Sequence, residues 1–278
     1  MSIAPDSLLL ALAPLFIACI AAEYLLLRRR GQAARYDARD SACNAVLALA
    51  QQASDKLAWL ATLPLFGWLH LHSPWHIEAG WGAYLALFLA QDLLYYLFHR
   101  ASHRVRWLWA AHSVHHSSTR MNFSTALRQS PLYPLAPMWA FWLPLAWFGF
   151  EPAWIVATVL ANLALQFFVH TTLFDGFGPL GHILNTPAAH RVHHACNPRY
   201  LDCNYAGVLI VWDKLFGSYI EEDVAEPCRY GTVKPVASHH PGTVALSEWR
   251  QMLRDLRAAH GARARWQRLF GPPADYTK

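Results

Sequence analysis

Three groups of histidines carry the spacing of metal ligands. His99 and His103 are four residues apart. His112, His115 and His116 follow nine residues later, and His190, His193 and His194 repeat that second spacing far downstream. On a helix, residues three or four apart share a face, so each group presents its imidazoles to one side. Neutral imidazole is the commonest metal ligand and suits iron, zinc, copper and nickel. One tetrahedral zinc takes four ligands. Eight or nine imidazoles exceed the need of one ion, so two metals are expected. A lone histidine is ordinarily a surface or core residue, but three one-sided groups are not explained that way. Cys196, two residues after His194, is a further sulfur donor within reach, though the histidines already suffice. The five cysteines are odd in number and show no paired spacing, which fits a reducing compartment.

These groups must be brought together by the surrounding elements. The chain has 278 residues, 55% hydrophobic and 15% charged, with 13 Trp. That composition predicts an all-α fold, an integral membrane helical bundle of about four to five spans with a cytosolic helical cap carrying the dimetal site. Residues 1–89 are expected to form an N-terminal transmembrane region, 90–220 the catalytic region and 221–278 a membrane-surface segment. The net charge of +5 suits anionic lipid headgroups. It is not gathered on a soluble basic face, which argues against nucleic acid.

Residues 8–27 form a nearly uncharged run of spanning length. Arg28, Arg29, Arg30, Arg35 and Arg39 follow it, which places them in the cytoplasm and the N-terminus outside. A signal peptide would carry its charge before the apolar run. Residues 41–70 read as a second span with a polar seam of Gln51, Gln52, Asp55 and Lys56. The external turn over 71–80 holds His72 and His76, read with His70 as interfacial. Residues 81–98 form a third span that runs directly into His99. Between 131 and 169 the only formal charge is Glu151, which predicts a hairpin of two short spans turning near 149–152. Pro134, Pro137 and Pro144 should kink its first arm. The hairpin returns the chain to the side it left, so all three groups face the cytoplasm, as at a bacterial inner membrane. Residues 247–270 read as a basic amphipathic helix on the membrane surface. His239-His240-Pro241-Gly242 resembles part of the cytochrome b5 haem motif, but too little chain follows for such a domain.

Several polar residues align with the ligands. Asp92 and Tyr96 precede His99 and His103 by steps near whole helical turns, and Asp92 is a candidate acceptor for an imidazole N–H. Asn162, Gln166 and His170 are spaced by four and form one stripe. Asp202, Asn204, Tyr205 and Asp213 lie in the loop and apolar run after His194 and are candidates to support the ligands from behind.

The stretches QDLLYYLFHRASH, MNFSTALRQS, GPLGHILNTPAAHRVHH and NYAGVLIVWDKLFGSY, with the histidine boxes they carry, resemble the fatty acid hydroxylase and sterol desaturase superfamily of membrane di-iron enzymes. They read like the branch that contains alkylglycerol monooxygenase. The likeness covers about residues 90–219. It implies His170 as an additional ligand, two iron ions (zinc being possible as purified), and oxygen-dependent hydroxylation or desaturation of a lipid C–H bond. It further implies an external reductant, either a reduced pterin or an electron-transfer protein. The branch implies ether-lipid cleavage, and a sterol or fatty-acid desaturase is the alternative within the superfamily. One departure is Arg104, where the branch carries an acidic residue; it bears on the pterin and the ether-lipid substrate. No fused electron-transfer domain is seen, so a separate donor is expected. A zinc-dependent hydrolase would need a carboxylate beside the ligands, as in His-Glu-x-x-His, and no group has one. A metal transporter would place ligands along the spans, whereas these cluster beyond the span ends.

Overall fold

A computed structural model describes residues 8–273, with side chains from residue 11 onward. Helices dominate, and the described residues contain no strand beyond two isolated bridges, Leu184 with Leu209 and Ala195 with Tyr230. Helix α1, Leu8–Arg29, and helix α3, Trp81–Arg104, are each long and apolar enough to cross a membrane. Helix α2, Ala38–Leu71, has 34 residues and starts at Asp37, whose carboxylate accepts from the Arg39 and Asp40 amides. At 1.5 Å per residue it is about 50 Å long. Its outward face, with Leu49, Leu57 and Leu60, is exposed and apolar.

The expected hairpin over 131–169 is only half a pair of spans. The turn is where expected: Gly149 has φ +90°, and a Cβ there would lie 2.4 Å from the Trp75 carbonyl oxygen, so glycine is required. The second arm is a 16-residue apolar helix, α6, Pro152–Phe167. The first arm is broken into two 3-10 segments, Tyr133–Leu135 and Met138–Trp142, and a five-residue helix, α5, Leu143–Trp147. Pro134, Pro137 and Pro144 remove amide donors and clash with the preceding turn, so they do more than kink this arm. Among the described residues, two helices combine spanning length with apolarity. Phe66, Phe98, Trp142, Leu145 and Ile155 form the core between α2, α3, α5 and α6.

Helix α4, Arg106–His116, leaves α3 at a corner made by Val105, whose backbone is extended (φ −117°, ψ 116°). Helix α7 is Pro187–His193, and α8 is Val211–Leu215. The C-terminal amphipathic stretch is two helices, α9, Pro241–Ala258, and α10, Ala262–Phe270, separated at Gly261 with φ +86°. The apolar side of α9, with Val244, Trp249 and Met252, is buried against the protein. That side therefore faces α4 and α2 and is not free to lie on lipid. Buried Arg106 fixes the contact through Glu248 at 3.0 Å and Asp255 at 2.6 Å. The residues of the haem-like motif begin α9: His240 is its N-cap and Pro241 its first residue, an ordinary helix start.

One carboxylate lies within the apolar first helix. Glu23 accepts from Tyr36 at 2.5 Å, from the Phe123 amide at 2.6 Å and from the Thr171 hydroxyl. A buried carboxylate in such a helix is tolerated when donors satisfy it. These donors tie α1 to the loop beside His170.

Candidate metal centre

All nine histidines of the sequence pattern converge, each at most 5% exposed. They divide into two sets. In one, single ring nitrogens of His99, His103, His112, His116 and His193 all lie within 4.8 Å of one another. In the other, His115, His170, His190 and His194 do the same within 4.8 Å. The sets touch: the rings of His116 and His194 stack with centroids 4.4 Å apart.

Helix geometry explains the division. Successive residues turn by about 100°, so His112 and His116 nearly eclipse while His115 points well to one side. The pair spaced by four therefore serves one set and the middle histidine the other. Helix α7 does the converse, giving His190 and His194 to the second set and His193 to the first. One face per group, as read from the spacing, is too coarse. The Val105 corner lets α3 and α4 meet, with Nε2 of His99 2.9 Å from Nε2 of His112. Thr186 starts α7 by capping the Ala189 amide.

The rings are oriented by main-chain oxygens. Nδ1 of His99 donates to the Tyr205 carbonyl at 2.8 Å, that of His170 to Gln166 at 2.8 Å, and that of His193 to Cys203 at 3.0 Å. A carbonyl only accepts, which assigns the proton to Nδ1 and leaves Nε2 with an exposed lone pair. The Nε2 of His193 is buried and has no hydrogen-bond partner. Nδ1 of His115 lies 3.1 Å from the Arg128 carbonyl, and its Nε2 lies 3.1 Å from that of His170. Nδ1 of His112 meets the hydroxyl of buried Tyr133 at 2.7 Å. Burial holds the rings neutral: His115 is lowered to about 4, and His193 to about 3. The pKa values of His190 and His194 are also lowered, first by burial and then by neighbouring imidazoles. Inward lone pairs, outward N–H groups held by acceptors and a neutral state are what a metal cation requires of imidazole. The donor set fits a metal pair.

The remaining expected residues act at longer range. Asp92 accepts from Asn162, the Val208 and Leu209 amides and the Trp212 indole, at 2.7 to 3.0 Å. These donors come from the loop, α6 and α8 and include no imidazole, so Asp92 anchors the loop rather than a ligand ring. Asn162 accepts from Gln166, whose carbonyl receives His170, so that stripe is continuous. Asp213 accepts from the Tyr205 and Ala206 amides, and the Tyr205 carbonyl then receives His99. Asn204, at φ +53°, bonds the Ala189 and Ile220 carbonyls and so ties α7 to the following chain. Tyr96 bonds Ser218 at 2.8 Å and Arg100 at 3.0 Å. Asp202, also left-handed at φ +59°, sits 4.0 Å from Nδ1 of His103 and 3.4 Å from Arg104. Cys196, His70, His72, His76 and His182 belong to neither set.

Sequence reasoning did not find Tyr133, Arg128 or the carbonyl acceptors. Arg128, buried, bonds Asp40, Asn44, Ser117 and the Val114 carbonyl, fixing its own carbonyl beside His115. The signals available were a lone arginine and tyrosine near an apolar stretch, and main-chain acceptors have no residue type to read.

Comparison with known proteins finds lipid-modifying relatives. The chain is 43% identical over 173 residues to alkylglycerol monooxygenase of Xenopus tropicalis, covering 62% of this chain and 37% of that protein. It is 46% identical over 168 residues to alkylglycerol monooxygenase of Homo sapiens, covering 60% and 36%. It is 32% identical over 149 residues to the ornithine lipid hydroxylase OlsE of Rhizobium tropici, covering 49% and 40%. The chain thus spans well under half the length of these relatives. No solved structure matches it. The model of the fatty acid hydroxylase family matches residues 84–218, a stretch that contains all nine imidazoles.

Proposed function

We propose that this protein is a membrane lipid oxygenase whose nine histidines hold two iron ions. The observation that carries the reading is the division of nine buried, neutral imidazoles into two adjoining sets. His99, His103, His112, His116 and His193 would hold one ion, and His115, His170, His190 and His194 the other. Bound iron supplies the reduction of oxygen and the attack on an unactivated lipid C–H bond. The chain does the rest. Tyr205, Gln166 and Cys203 carbonyls keep Nε2 aimed inward, Tyr133 fixes His112, and the buried setting excludes bulk water. Alkylglycerol monooxygenases and an ornithine lipid hydroxylase among the relatives support an alkylglycerol or an ornithine lipid as the substrate class, with hydroxylation as the common step.

The reductant on this reading is a reduced pterin or an electron-transfer protein. The domain sits at the cytoplasmic ends of α1 and α3, with Arg28, Arg29 and Arg35 on the same side. That orientation is supported by the basic residues that follow α1. The decisive experiment is anaerobic purification with iron analysis, followed by oxygen uptake in the presence of alkylglycerol or ornithine lipid and reductant. About two irons per chain and lipid-dependent uptake are expected. Stoichiometric metal with no lipid-dependent uptake under any reductant would overturn the reading.

A further inference from the structure

Two short strips of chain expose large apolar side chains although neither lies in a spanning-type helix. The first, residues 174–183, follows the end of α6 and offers Phe174, Phe177, Leu180 and Ile183. The second, at the end of α8, offers Leu215 and Phe216. Bonds to main-chain carbonyls join the strips into one ridge. The Ile210 amide donates to the Ile183 carbonyl at 2.9 Å, and Lys214 Nζ donates to the His182 carbonyl at 2.9 Å. Both spanning-type helices touch this ridge. Arg30, just past α1, donates to the Leu173 carbonyl at 3.5 Å, and Phe216 stacks on Tyr96 of α3 with centroids 5.3 Å apart. Exposed Leu25 and Leu26 of α1 and Leu97 of α3 continue the apolar surface at these two points. Charge is sorted around the ridge. Residues 176–183 carry none, and Asp175 is tied to Arg191 at 2.5 Å. The cations Arg30 and Lys214 bond the two ends of the first strip, and Glu221, Glu222 and Asp223 come only after the chain has left the second.

Singly exposed apolar residues are ordinary, but a set gathered on one fixed surface marks a contact. Position decides the partner. The ridge joins the apolar outer sides of α1 and α3 without a break, and its flanking cations suit phosphate headgroups. We propose that the ridge dips into the cytoplasmic leaflet, with its apolar side chains among the first acyl carbons and Arg30 and Lys214 at the phosphate level. Irregular main chain has peptide groups that need water or headgroups, so only the side chains enter the hydrocarbon. This contact lies where α6 passes toward His170 and where Thr186 caps α7. A Cβ added at Gly181 would lie 3.0 Å from the Thr186 methyl, so the first strip packs directly on that cap. The ridge therefore brings the bilayer surface beside the helix that supplies His190 and His194. The inference rests on the membrane placement of α1 and α3 and not on the oxygen chemistry.

The test uses the full chain in phosphatidylcholine nanodiscs that hold one of two photoreactive phospholipids, with a diazirine either beside the glycerol or at the acyl terminus. Mapping the labelled peptides needs neither metal nor turnover. The glycerol-side probe should label residues 174–183 and 215–216, and the terminal probe should label α3 but not the ridge. Val224, 95% exposed in the acidic segment, should stay unlabelled by both. Leu180 and Leu215 are 57% and 69% exposed, so Leu180→Asp combined with Leu215→Asp should keep the melting temperature in detergent and lose the ridge label. Label on α3 with a blank ridge overturns the inference, as does ridge label that survives both substitutions. Benzoylphenylalanine in place of Leu180 should crosslink to lipid; crosslinked pairs of chains would make the ridge a contact between copies and overturn the assignment as well. Helices α1 and α3 blank to both probes would fail the membrane placement and the ridge with it. A labelled ridge without lipid-dependent oxygen uptake fails the oxygenase reading alone.

Discussion

At the scale of single residues, the site depends on which nitrogen of each ring carries the proton. The Tyr133 hydroxyl touches the cluster histidine His112 at 2.7 Å. Tyr133→Phe should lower metal affinity about 10- to 100-fold, the usual cost of losing a partner behind a ligand, with helix content by circular dichroism unchanged. Equal affinity in the variant would remove Tyr133 from the site. Acid should act on the rings themselves. Burial holds His115 near 4 and His193 near 3, below the usual 6.5. As pH falls below 6.5 the unfolded chain takes up protons that the folded chain refuses, so stability is present above that value and is lost toward pH 4. Metal release and a falling melting temperature should track each other across this interval, and a flat profile contradicts it. The histidines themselves were legible because metal ligation demands particular residue types at helical spacing. The carbonyls of Tyr205, Cys203 and Gln166 were not, because any residue supplies one.

At the scale of elements, the loop after His194 is held as tightly as the helices. Gly207 packs so closely that a Cβ would lie 2.8 Å from Tyr95 Cδ1, 3.0 Å from Asn162 Oδ1 and 3.1 Å from Asp92 Oδ1. Gly207→Ala should cost about 1–3 kcal/mol by overpacking, measured by thermal or denaturant melting. It should also loosen His99, whose acceptor Tyr205 is two residues away. A neutral result would mean that Asp92 and Asn162 can move freely. Helices α1 and α3 were readable from hydropathy because each holds an apolar window of spanning length. The segment after Tyr133 was misread as a span because composition reports apolarity and not the three prolines' cumulative effect on the ladder. The apolar stripe of α9 was readable, but its partner was not: burial on α4 and burial in lipid give the same pattern.

At the scale of the whole molecule, the two spanning-type helices and the basic residues after α1 set an orientation that can be checked. A reporter fused near Arg120 should read cytoplasmic; a periplasmic signal would invert the arrangement and separate the site from cytosolic reductant. The larger consequence comes from the exchange between α4 and α7. Each contributes a spaced pair to its own cluster and lends its middle ring to the opposite one. Neither cluster can be completed unless both helices are already docked, so on the proposed two-ion reading uptake at the two positions is expected to be coupled. His193→Ala should therefore weaken both positions although it removes a ligand from one. Chelator titration of the intact protein should show a single steep step of metal loss rather than two. Such a lattice of borrowed ligands makes partial occupancy unstable, so iron starvation should leave a mixture of fully loaded and wholly bare chains.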